Sequence, residues 1–353
     1  MKGKPRKNYI PQKNSHNNGK AIKAVTSLLD LMEDGKEYES MIKHPIVNVD
    51  FTFELRRAIG EMEKVRGKRM ICYVANVVNT QIKANTGIDN TDDLPFSEMI
   101  AQIPPEEKEI DVLIVTGGGS GQQVARFVDR LRNRFDKVSF ILPNMAMSAG
   151  TIFALSGDEI IMNSGAHIGP IDPQVIGKNG RFVAAQSLLT LITEIQKRGD
   201  ELLKAGKNPL WTDLQILNQI DAKEIGSAIN GSKYSIDLVK SYLNDYKFKS
   251  WNVHSSNGQP VTSKEKEDRS KEIAELLCDH SIWKTHATGI PREVAWDICK
   301  LKILHSEDIK DFDRLLRRYW ALLYWVFGNT AVFKMFLSQE YCILRNDKSA
   351  LNN

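Results

Sequence analysis

Hydrophobic and polar positions follow two different periods between residues 69 and 165. Four short runs rich in β-branched and aliphatic residues predict strands at 69–76, 111–118, 137–144 and 158–165. Between the second and third runs, apolar residues recur at helical spacing, which predicts an amphipathic helix over 121–135 whose other face is basic. Strands that alternate with helices in this way are typical of an α/β protein with a largely parallel sheet.

The pattern changes after residue 180, where helical runs dominate. Amphipathic stretches predict long helices over 184–207 and 210–248. A polar stretch near 254–268 then precedes a second helical unit over 269–345. The chain therefore divides into an α/β part and a mainly helical part.

Composition indicates a globular protein with a modest positive charge. The 353 residues, 42% of them hydrophobic, can bury a sizeable core, and 48 Lys and Arg against 44 Asp and Glu give a net charge of +4. That charge is too small and too evenly spread to indicate a nucleic-acid surface. The exception is residues 1–20, which are basic and almost free of apolar side chains and therefore predict a disordered tail.

Cysteine usage and hydropathy favour a cytoplasmic protein. Cys72, Cys278, Cys299 and Cys342 form no CxxC pair and are expected to be reduced thiols. No signal peptide is recognisable, and the longest apolar run, 319–337, is interrupted by polar residues. We interpret that run as a buried helix pair or an oligomer contact rather than a membrane span. No motif has the His and Cys spacing of a metal site, and no cofactor is predicted.

Two loops at strand ends carry the candidate chemistry. TGGGSG at 116–121 follows the second predicted strand and NMAMSAG at 144–150 follows the third, so both leave the carboxyl edge, where ligands bind in parallel sheets. Three consecutive glycines leave backbone amides bare and able to point at a substrate oxygen. The glycine-rich motifs that bind nucleotide phosphates are absent. A tight strand-to-helix turn is the structural alternative.

Ser148 is the candidate nucleophile of the second loop. It precedes AGTIFALSG, which predicts a helix, and a hydroxyl at a helix N-terminus lies among amide donors that stabilise an oxyanion. A helix-capping serine explains the same position without any chemistry. His167 and Asp172 follow in the turn after the fourth predicted strand. They either complete a Ser-His-Asp arrangement or only pack and cap that turn.

The order of three segments is more specific than any one of them. VTGGGSGQQV, MAMSAGTIFALSGDEIIM and AHIGPIDPQV occur in this order within residues 65–250, and WKTHATGIPREVAW follows further on. Together they resemble the Clp-protease/crotonase superfamily, and within it the signal-peptide-peptidase-A-like branch of serine dehydrogenase proteinases. The resemblance implies a crotonase-like (ClpP-like) spiral of ββα units, a homo-oligomer and hydrolysis of peptide bonds by a serine.

The resemblance also implies site residues, position by position. Ser148 matches the nucleophile, Gly118 and Gly119 match the loop that holds the oxyanion, and Ala149 supplies the amide after the nucleophile. The histidine of the Clp branch falls on Gly169, so the triad of that branch is not reproduced at this position.

Peptidases of the signal-peptide-peptidase-A type use a Ser-Lys dyad instead, with the lysine about fifty residues beyond the serine. The lysines in that window are Lys197, Lys204 and Lys207, and we rank Lys207 first because it leads into the next long helix. A lysine base requires burial, so that its neutral amine is available. His167, two residues before the Clp position, is the alternative base.

The sequence therefore predicts three regions: a tail over 1–20, a ClpP/crotonase-like peptidase domain over 21–250 and a helical C-terminal extension over 251–353. The predicted function is a cytoplasmic serine peptidase that forms an acyl-enzyme on Ser148 and takes peptides or unfolded proteins as substrates. Two alternatives stay open. A scaffold of the same fold would bind peptide without turnover, and a crotonase-type enzyme would hold an acyl-CoA thioester with paired amides.

Overall fold

The computed structural model describes residues 27–43, 49–177, 180, 182–254 and 256–351, and the predicted tail at 1–20 lies outside them. Its strands, in chain order, are β1 Arg69–Ala75, β2 Glu109–Val115, β3 Lys137–Leu142, β4 Met145–Ala146, β5 Glu159–Met162, β6 His167–Ile168, β7 Gln174–Ile176, β8 Phe182–Ala184, β9 Ile290–Pro291, β10 Leu304–His305, β11 Val332–Leu337 and β12 Cys342–Asn346.

Helices connect these strands and dominate after residue 185, as the hydrophobic pattern predicts. They are α1 Leu28–Leu31, α2 Glu37–Ile42, α3 Phe51–Arg66, α4 Asp93–Ala101, α5 Gly121–Arg134, α6 Ala149–Leu155, α7 Ala185–Lys204, α8 Trp211–Gln219, α9 Ala222–Tyr242, α10 Ser263–Cys278, α11 His280–Trp283, α12 Arg292–Cys299 and α13 Phe312–Asn329. α9 continues into a π-helical turn, Leu243–Lys247.

Seven strands form the main sheet in the order β10-β5-β3-β2-β1-β11-β12. The pairs from β10 to β1 are parallel, and β11 and β12 are added antiparallel at the β1 edge. β1, β2 and β3 are apolar along most of their length and buried, as expected for strands that helices cover on both faces. The predicted α/β class is confirmed, and the four predicted strands are present with ends shifted by a few residues.

A second sheet positions the nucleophile segment. It has the order β4-β6-β9, with β4 and β6 parallel and β9 antiparallel to β6. A bridge between Thr116 and Ala146 joins β4 to the end of β2. Because Ser148 follows β4 by two residues, this bridge fixes its position relative to the glycine loop.

Apolar clusters cover both faces of the main sheet. Side chains of α4, α5 and α6 pack on one face, and those of α3 and α13 pack on the other. α5 buries Val124, Phe127, Val128 and Leu131, which is the apolar stripe that the sequence predicts. The basic side of α5 lies away from the sheet, where Arg130 pairs with Asp93.

The aromatic run at 319–337 belongs mostly to the core of one chain. It forms the second part of α13 and all of β11, and α13 packs along α3. Tyr319, Leu322 and Phe327 are buried, whereas Tyr324 is exposed. The run therefore leaves little apolar surface for an oligomer contact. In the part of the chain that the structure describes, no helix has the length and apolarity needed to cross a membrane.

The segment after residue 250 differs from the predicted helical extension. It contributes β9 to the second sheet and β10, β11 and β12 to the main sheet. The physical reason lies in VFKMFL at 332–337, an apolar run that pairs with β1 and covers an edge that would otherwise be unpaired. This segment is therefore built into the α/β core and does not form a separate helical layer.

Candidate active site

The glycine loop after β2 lies directly against the nucleophile segment. Gly118 has a φ of 109° and Gly119 a φ of 139°, which are backbone conformations that favour glycine. A Cβ atom on Gly118 would lie 2.7 Å from the Cβ of Ser148, and one on Gly119 would lie 2.3 Å from the backbone nitrogen of Ile88. A side chain at either position would therefore force the loop away from its neighbour.

Ser148 occupies a strained turn between β4 and α6. Its φ of 52° and ψ of −119° lie outside the regions that L-residues favour, and such a conformation costs about 1–3 kcal/mol. The hydroxyl makes no capping hydrogen bond to α6, so helix capping does not account for this serine. Strained strand-to-helix turns are, in contrast, a recurrent way to expose a nucleophilic serine.

Of the three amides expected to hold an oxyanion, two have no hydrogen-bond acceptor among the described residues. The third, the Gly118 N–H, donates to Thr116 Oγ1 at 3.1 Å and is thereby occupied. Within the described chain, the N–H groups of Gly119 and Ala149 donate no hydrogen bond. The Ala149 nitrogen lies 3.4 Å from the place that a Cβ on Gly118 would take, so the two loops are in contact here. This arrangement favours Gly119 and Ala149 as oxyanion donors.

A buried ion pair supports the glycine loop from behind. The Ile88 N–H donates to the Gly118 carbonyl at 2.7 Å, which ties the loop to the preceding segment. Lys334 of β11 donates to the Gly87 carbonyl at 2.6 Å and pairs with Asp92 at 2.8 Å. Neither charged side chain has exposed surface. Lys334 therefore holds in place the segment to which the glycine loop is bonded.

The lysines predicted as general base lie on the surface. Lys197 and Lys204 are exposed residues of α7, and Lys207 is exposed in the turn between α7 and α8. A lysine base requires burial to supply a neutral amine, and the single chain buries none of the three residues. No hydrogen bond joins any of them to Ser148 in the described chain.

β6 runs beside the nucleophile strand, and two of the positions considered from sequence are His167 within it and Gly169 directly after it. His167 pairs with Met145 of β4, and partial burial lowers the pKa of its imidazole below the usual value. Its ring faces Gly289, where a Cβ would lie 2.9 Å from His167 Cδ2. At Gly169 a Cβ would lie 2.6 Å from Met147 Cε, so the space for a histidine at this position is occupied.

Asp172 pairs with a histidine that the sequence reasoning did not select. Its side chain is 1% exposed, and its Oδ1 lies 2.8 Å from Nδ1 of His286. His280 lies on the other side, with Nδ1 3.8 Å from Asp172 Oδ2 and Nε2 2.9 Å from Ser187 Oγ. The signal for His286 was the segment WKTHATGIPREVAW, which contains it. Nothing local in that segment indicates the carboxylate 114 residues away.

Sheet register brings this pair to the edge at which Ser148 lies. β4 and β6 are parallel, so Ser148 after β4 and Asp172 after β6 leave the same edge of the second sheet. β9 runs antiparallel to β6 and brings the preceding residues, His286 among them, back to that edge. Within the described ranges, no group of His, Cys, Asp and Glu side chains could hold a metal ion.

A family model and two curated relatives match part of this chain. Residues 42–205 match the model of the ClpP-like SDH-type serine proteinase family. Uncharacterized protein MJ1495 of Methanocaldococcus jannaschii is 31% identical over 152 residues, which are 42% of this chain and 50% of the relative. Uncharacterized protein MJ0137 of the same organism is 28% identical over 174 residues, 48% of this chain and 54% of the relative. The chain thus spans about half the length of both relatives.

Solved structures with some likeness are also proteases. Two mutants of the membrane-bound stomatin-specific protease 1510-N, one of them in complex with a substrate peptide, each have a TM-score of 0.38 and 16% identity. They cover 71% and 80% of this chain and 84% and 89% of their own. The ClpP catalytic domain from Plasmodium falciparum has a TM-score of 0.25 and 16% identity, over 36% of this chain and 63% of its own. Likeness at this level supports no conclusion about activity.

The family match includes the glycine loop, Ser148 and Asp172, and it ends at residue 205. His286 and Lys334 lie beyond it. The likeness to the ClpP-like SDH-type serine proteinase family therefore covers residues 42–205, less than half of the chain.

Proposed function

We propose that this protein is a serine peptidase in which Ser148 is the nucleophile. The observation that carries the proposal is the strained backbone of Ser148, next to the unpartnered amides of Gly119 and Ala149. A strained serine with no capping role is retained where it serves chemistry. Two amides beside the serine, which have no acceptor among the described residues, are the donors that the oxyanion of an acyl transfer needs.

The proposed reaction proceeds through an acyl-enzyme. Ser148 Oγ attacks the peptide carbonyl carbon and loses its proton to a general base, while the amides of Gly119 and Ala149 donate to the oxyanion. The base then returns the proton to the leaving amine as the C–N bond breaks. Water repeats the sequence on the ester: it attacks the acyl carbon, gives up a proton to the base, and Ser148 leaves with that proton.

We infer that His286 is the general base. The contact between its Nδ1 and Asp172 Oδ1 orients the ring and leaves Nε2 for the serine, as in other Ser-His-Asp sites. A Ser-Lys dyad with Lys207 remains the competing assignment. It gains no support from the exposed position of Lys207 in the single chain, because it requires the amine to be buried, for example by a second copy.

Peptides or unfolded proteins are the proposed substrates, and a homo-oligomer is the proposed assembly. Support for a peptide substrate comes from the match of residues 42–205 to a family of serine proteinases. Support for assembly comes from the surface around α8, where Trp211 is 74% exposed and Leu203, Leu210 and Leu214 are also exposed. A cytoplasmic location stays a prediction from the cysteine pattern.

A scaffold that binds peptide without turnover is the second candidate. The observation that favours it is the free Ser148 hydroxyl, which bonds to no base within the described chain. Catalytic hydrogen bonds often tighten only when substrate binds, so this observation does not decide between the two functions. No observation on the described residues specifically favours the acyl-CoA enzyme.

Labelling with a fluorophosphonate and hydrolysis of unfolded casein test the proposal. Wild type should label at Ser148 and cleave casein, and His286→Gln should reduce both by about 10³-fold or more because the serine loses its base. Lys207→Ala should retain both activities. His305→Gln is the matched control for removing a partly buried imidazole elsewhere, and melting temperatures verify that each variant is folded.

Three outcomes separate the assignments. If His286→Gln loses labelling and casein cleavage while Lys207→Ala retains both, the histidine base is supported. If Lys207→Ala loses both activities while His286→Gln retains them, the Ser-Lys dyad replaces the histidine base and the protein is still a peptidase. A folded wild type that neither labels nor cleaves overturns the peptidase and leaves the scaffold.

A further inference from the structure

A cavity of about 920 Å³ lies away from Ser148, at the opposite edge of the main sheet. Its floor includes Asp158 and Glu159, at the amino end of β5, and Leu304 of β10. Its walls come from the turn after α9, from α10 and from the end of α12. We call it the Lys247 cavity. Ser148 leaves the carboxyl edge, so this cavity is separate from the proposed peptidase site.

Aromatic side chains line part of the Lys247 cavity. Phe248 and Trp251 lie together with ring centroids 5.4 Å apart, and Trp296 faces them from α12 with 51% of its surface exposed. Exposed tryptophan at the rim of a cavity is apolar surface that remains to be covered, and flat rings stack well on such side chains. An aromatic group of a ligand therefore fits this wall.

The carboxylates around the cavity already have basic partners. Asp158 pairs with Arg132 at 2.7 Å and Glu159 with Lys137 at 3.0 Å. The same holds for the three carboxylates of α10, whose pairs are Glu265 with His254, Asp268 with Lys264 and Glu272 with Arg269.

The lysines of the cavity have no such partners. Within the described chain, Lys247, Lys300 and Lys302 have no carboxylate oxygen within 4.0 Å, and all three line the cavity. Burial lowers the pKa of Lys247 to about 8, the negative charges of Glu159 and Asp158 act against this shift, and the positive charge of Lys302 acts with it. These three amines have no carboxylate in direct contact, whereas the carboxylates of the cavity are paired with other groups, so an anion that enters the cavity can pair with the amines.

The local backbone also distinguishes Lys247. It is the last residue of the π-helical turn Leu243–Lys247, which directly follows the end of α9. Such turns are rare and frequently occur at functional sites. Lys300 ends α12 in a left-handed conformation with a φ of 49°, and its amine lies 5.9 Å from the Trp296 ring. Both lysines are thus held at positions set by the backbone and by neighbouring rings.

We propose that the Lys247 cavity binds a small organic anion in which a carboxylate or phosphate is joined to an aromatic ring. The anionic group lies near Lys247 and Lys302, and the ring stacks on Trp251 or Phe248. Carboxylate and phosphate share the chemistry that the amines recognise, and the experiment distinguishes them. The site does not depend on the proposed peptidase activity.

Calorimetry and tryptophan fluorescence with four probes test this site. Phenyl phosphate and benzoate each carry an anion and a ring, inorganic phosphate carries only the anion, and phenol carries only the ring. Phenyl phosphate or benzoate, or both, should bind saturably and at least tenfold more tightly than inorganic phosphate and phenol. Lys247→Met should weaken this binding at least tenfold, and Trp251→Ala should do the same. Lys43→Met, on an exposed lysine outside the cavity, should leave it unchanged.

Lys302→Met serves as a second variant if Lys247→Met does not fold. Absence of saturable binding of both ring-bearing anions to wild type overturns the proposal, and so does binding that neither lysine variant weakens. Equal affinity for inorganic phosphate and phenyl phosphate overturns the role of the aromatic wall. Casein hydrolysis measured on the same proteins is a separate readout, so the failure of one proposal leaves the other intact.

Discussion

Two regions of the molecule contribute to the candidate site in different ways. The nucleophile region, residues 116–121 and 144–150, uses backbone: glycine conformations, a strained serine and free amides. The supporting region uses side-chain pairs between distant segments, Asp172 with the partly buried His286 and the fully buried Asp92 with Lys334, 114 and 242 residues apart. The nucleophile region thus acts through its local backbone, whereas the proposed base and the ion pair behind the glycine loop come from distant segments. Substitutions of Ser148 and of Lys334 should therefore separate activity from stability.

Ser148→Ala should give the largest change in activity and little change in stability. Removing the nucleophile should lower hydrolysis about 10⁴-fold or more, because no acyl-enzyme can form. The free energy of unfolding should stay within about 1 kcal/mol, since the hydroxyl caps nothing. Ser148→Gly should be more stable than Ser148→Ala by about 1 kcal/mol because glycine tolerates the positive φ. Both are measured by casein cleavage and urea unfolding.

Substantial hydrolysis by a pure preparation of Ser148→Ala would remove the nucleophile region from the mechanism. A Ser148→Gly variant less stable than Ser148→Ala would show that the turn is not strained at this residue.

Lys334→Met should lower mainly the free energy of unfolding, in contrast to Ser148→Ala, which should lower mainly activity. Asp92 would remain buried with only Arg345 and Tyr73 as side-chain partners, and breaking a buried ion pair in this way costs about 3–5 kcal/mol. Lys264→Met, on a solvated lysine paired with Asp268, should stay within about 0.5 kcal/mol. Urea unfolding measures both. Equal effects in the two variants would contradict a supporting role for Lys334.

The two loops of the nucleophile region could be located from the sequence because their signals are local, and the role of Ser148 as the nucleophile stays a proposal. Consecutive glycines at a strand end and small residues around Ser148 have consequences that depend on the backbone at those positions. The parallel strands were predictable for the same reason, since continuous apolar runs indicate burial on both faces.

The supporting region could not be predicted, because burial and pairing are properties of the folded chain. Asp172 was considered either with His167 in a Ser-His-Asp arrangement or as a residue of its own turn, yet its partner His286 comes from another segment. Lys207 was selected by its distance from Ser148 along the chain and by its place before the next long helix, and neither shows whether an amine is buried. The aromatic run at 319–337 was assigned partly to an oligomer contact, whereas α3 and the main sheet cover most of it.

Gly118→Ala should reduce labelling of Ser148 while the fold persists. The new Cβ would lie 2.7 Å from the Cβ of Ser148 and 2.8 Å from the Met147 carbonyl, so the loop must move away from the nucleophile. Loss of one oxyanion donor typically lowers kcat by about 10²–10³-fold, and we expect an effect in that range. Gly117→Ala is the matched control because nothing lies within 4 Å of its Cβ position. Similar labelling rates for the two variants would contradict the close approach of the loops.

Thr151→Val should have the smallest effect, and it tests whether the two regions are connected. Thr151 Oγ1 accepts from the Gly169 N–H at 2.9 Å and lies 2.8 Å from the Ala146 carbonyl, so it links the strand before Ser148 to the strand before Asp172. Valine has the same shape but leaves these buried groups unsatisfied, at about 1–3 kcal/mol. Thr151→Ser retains the hydroxyl and should restore most of that loss. If Thr151→Val lowers kcat beyond what the fall in folded fraction explains, and Thr151→Ser does not, the link sets the distance between nucleophile and base. If stability alone changes, the hydroxyl only holds the second sheet together.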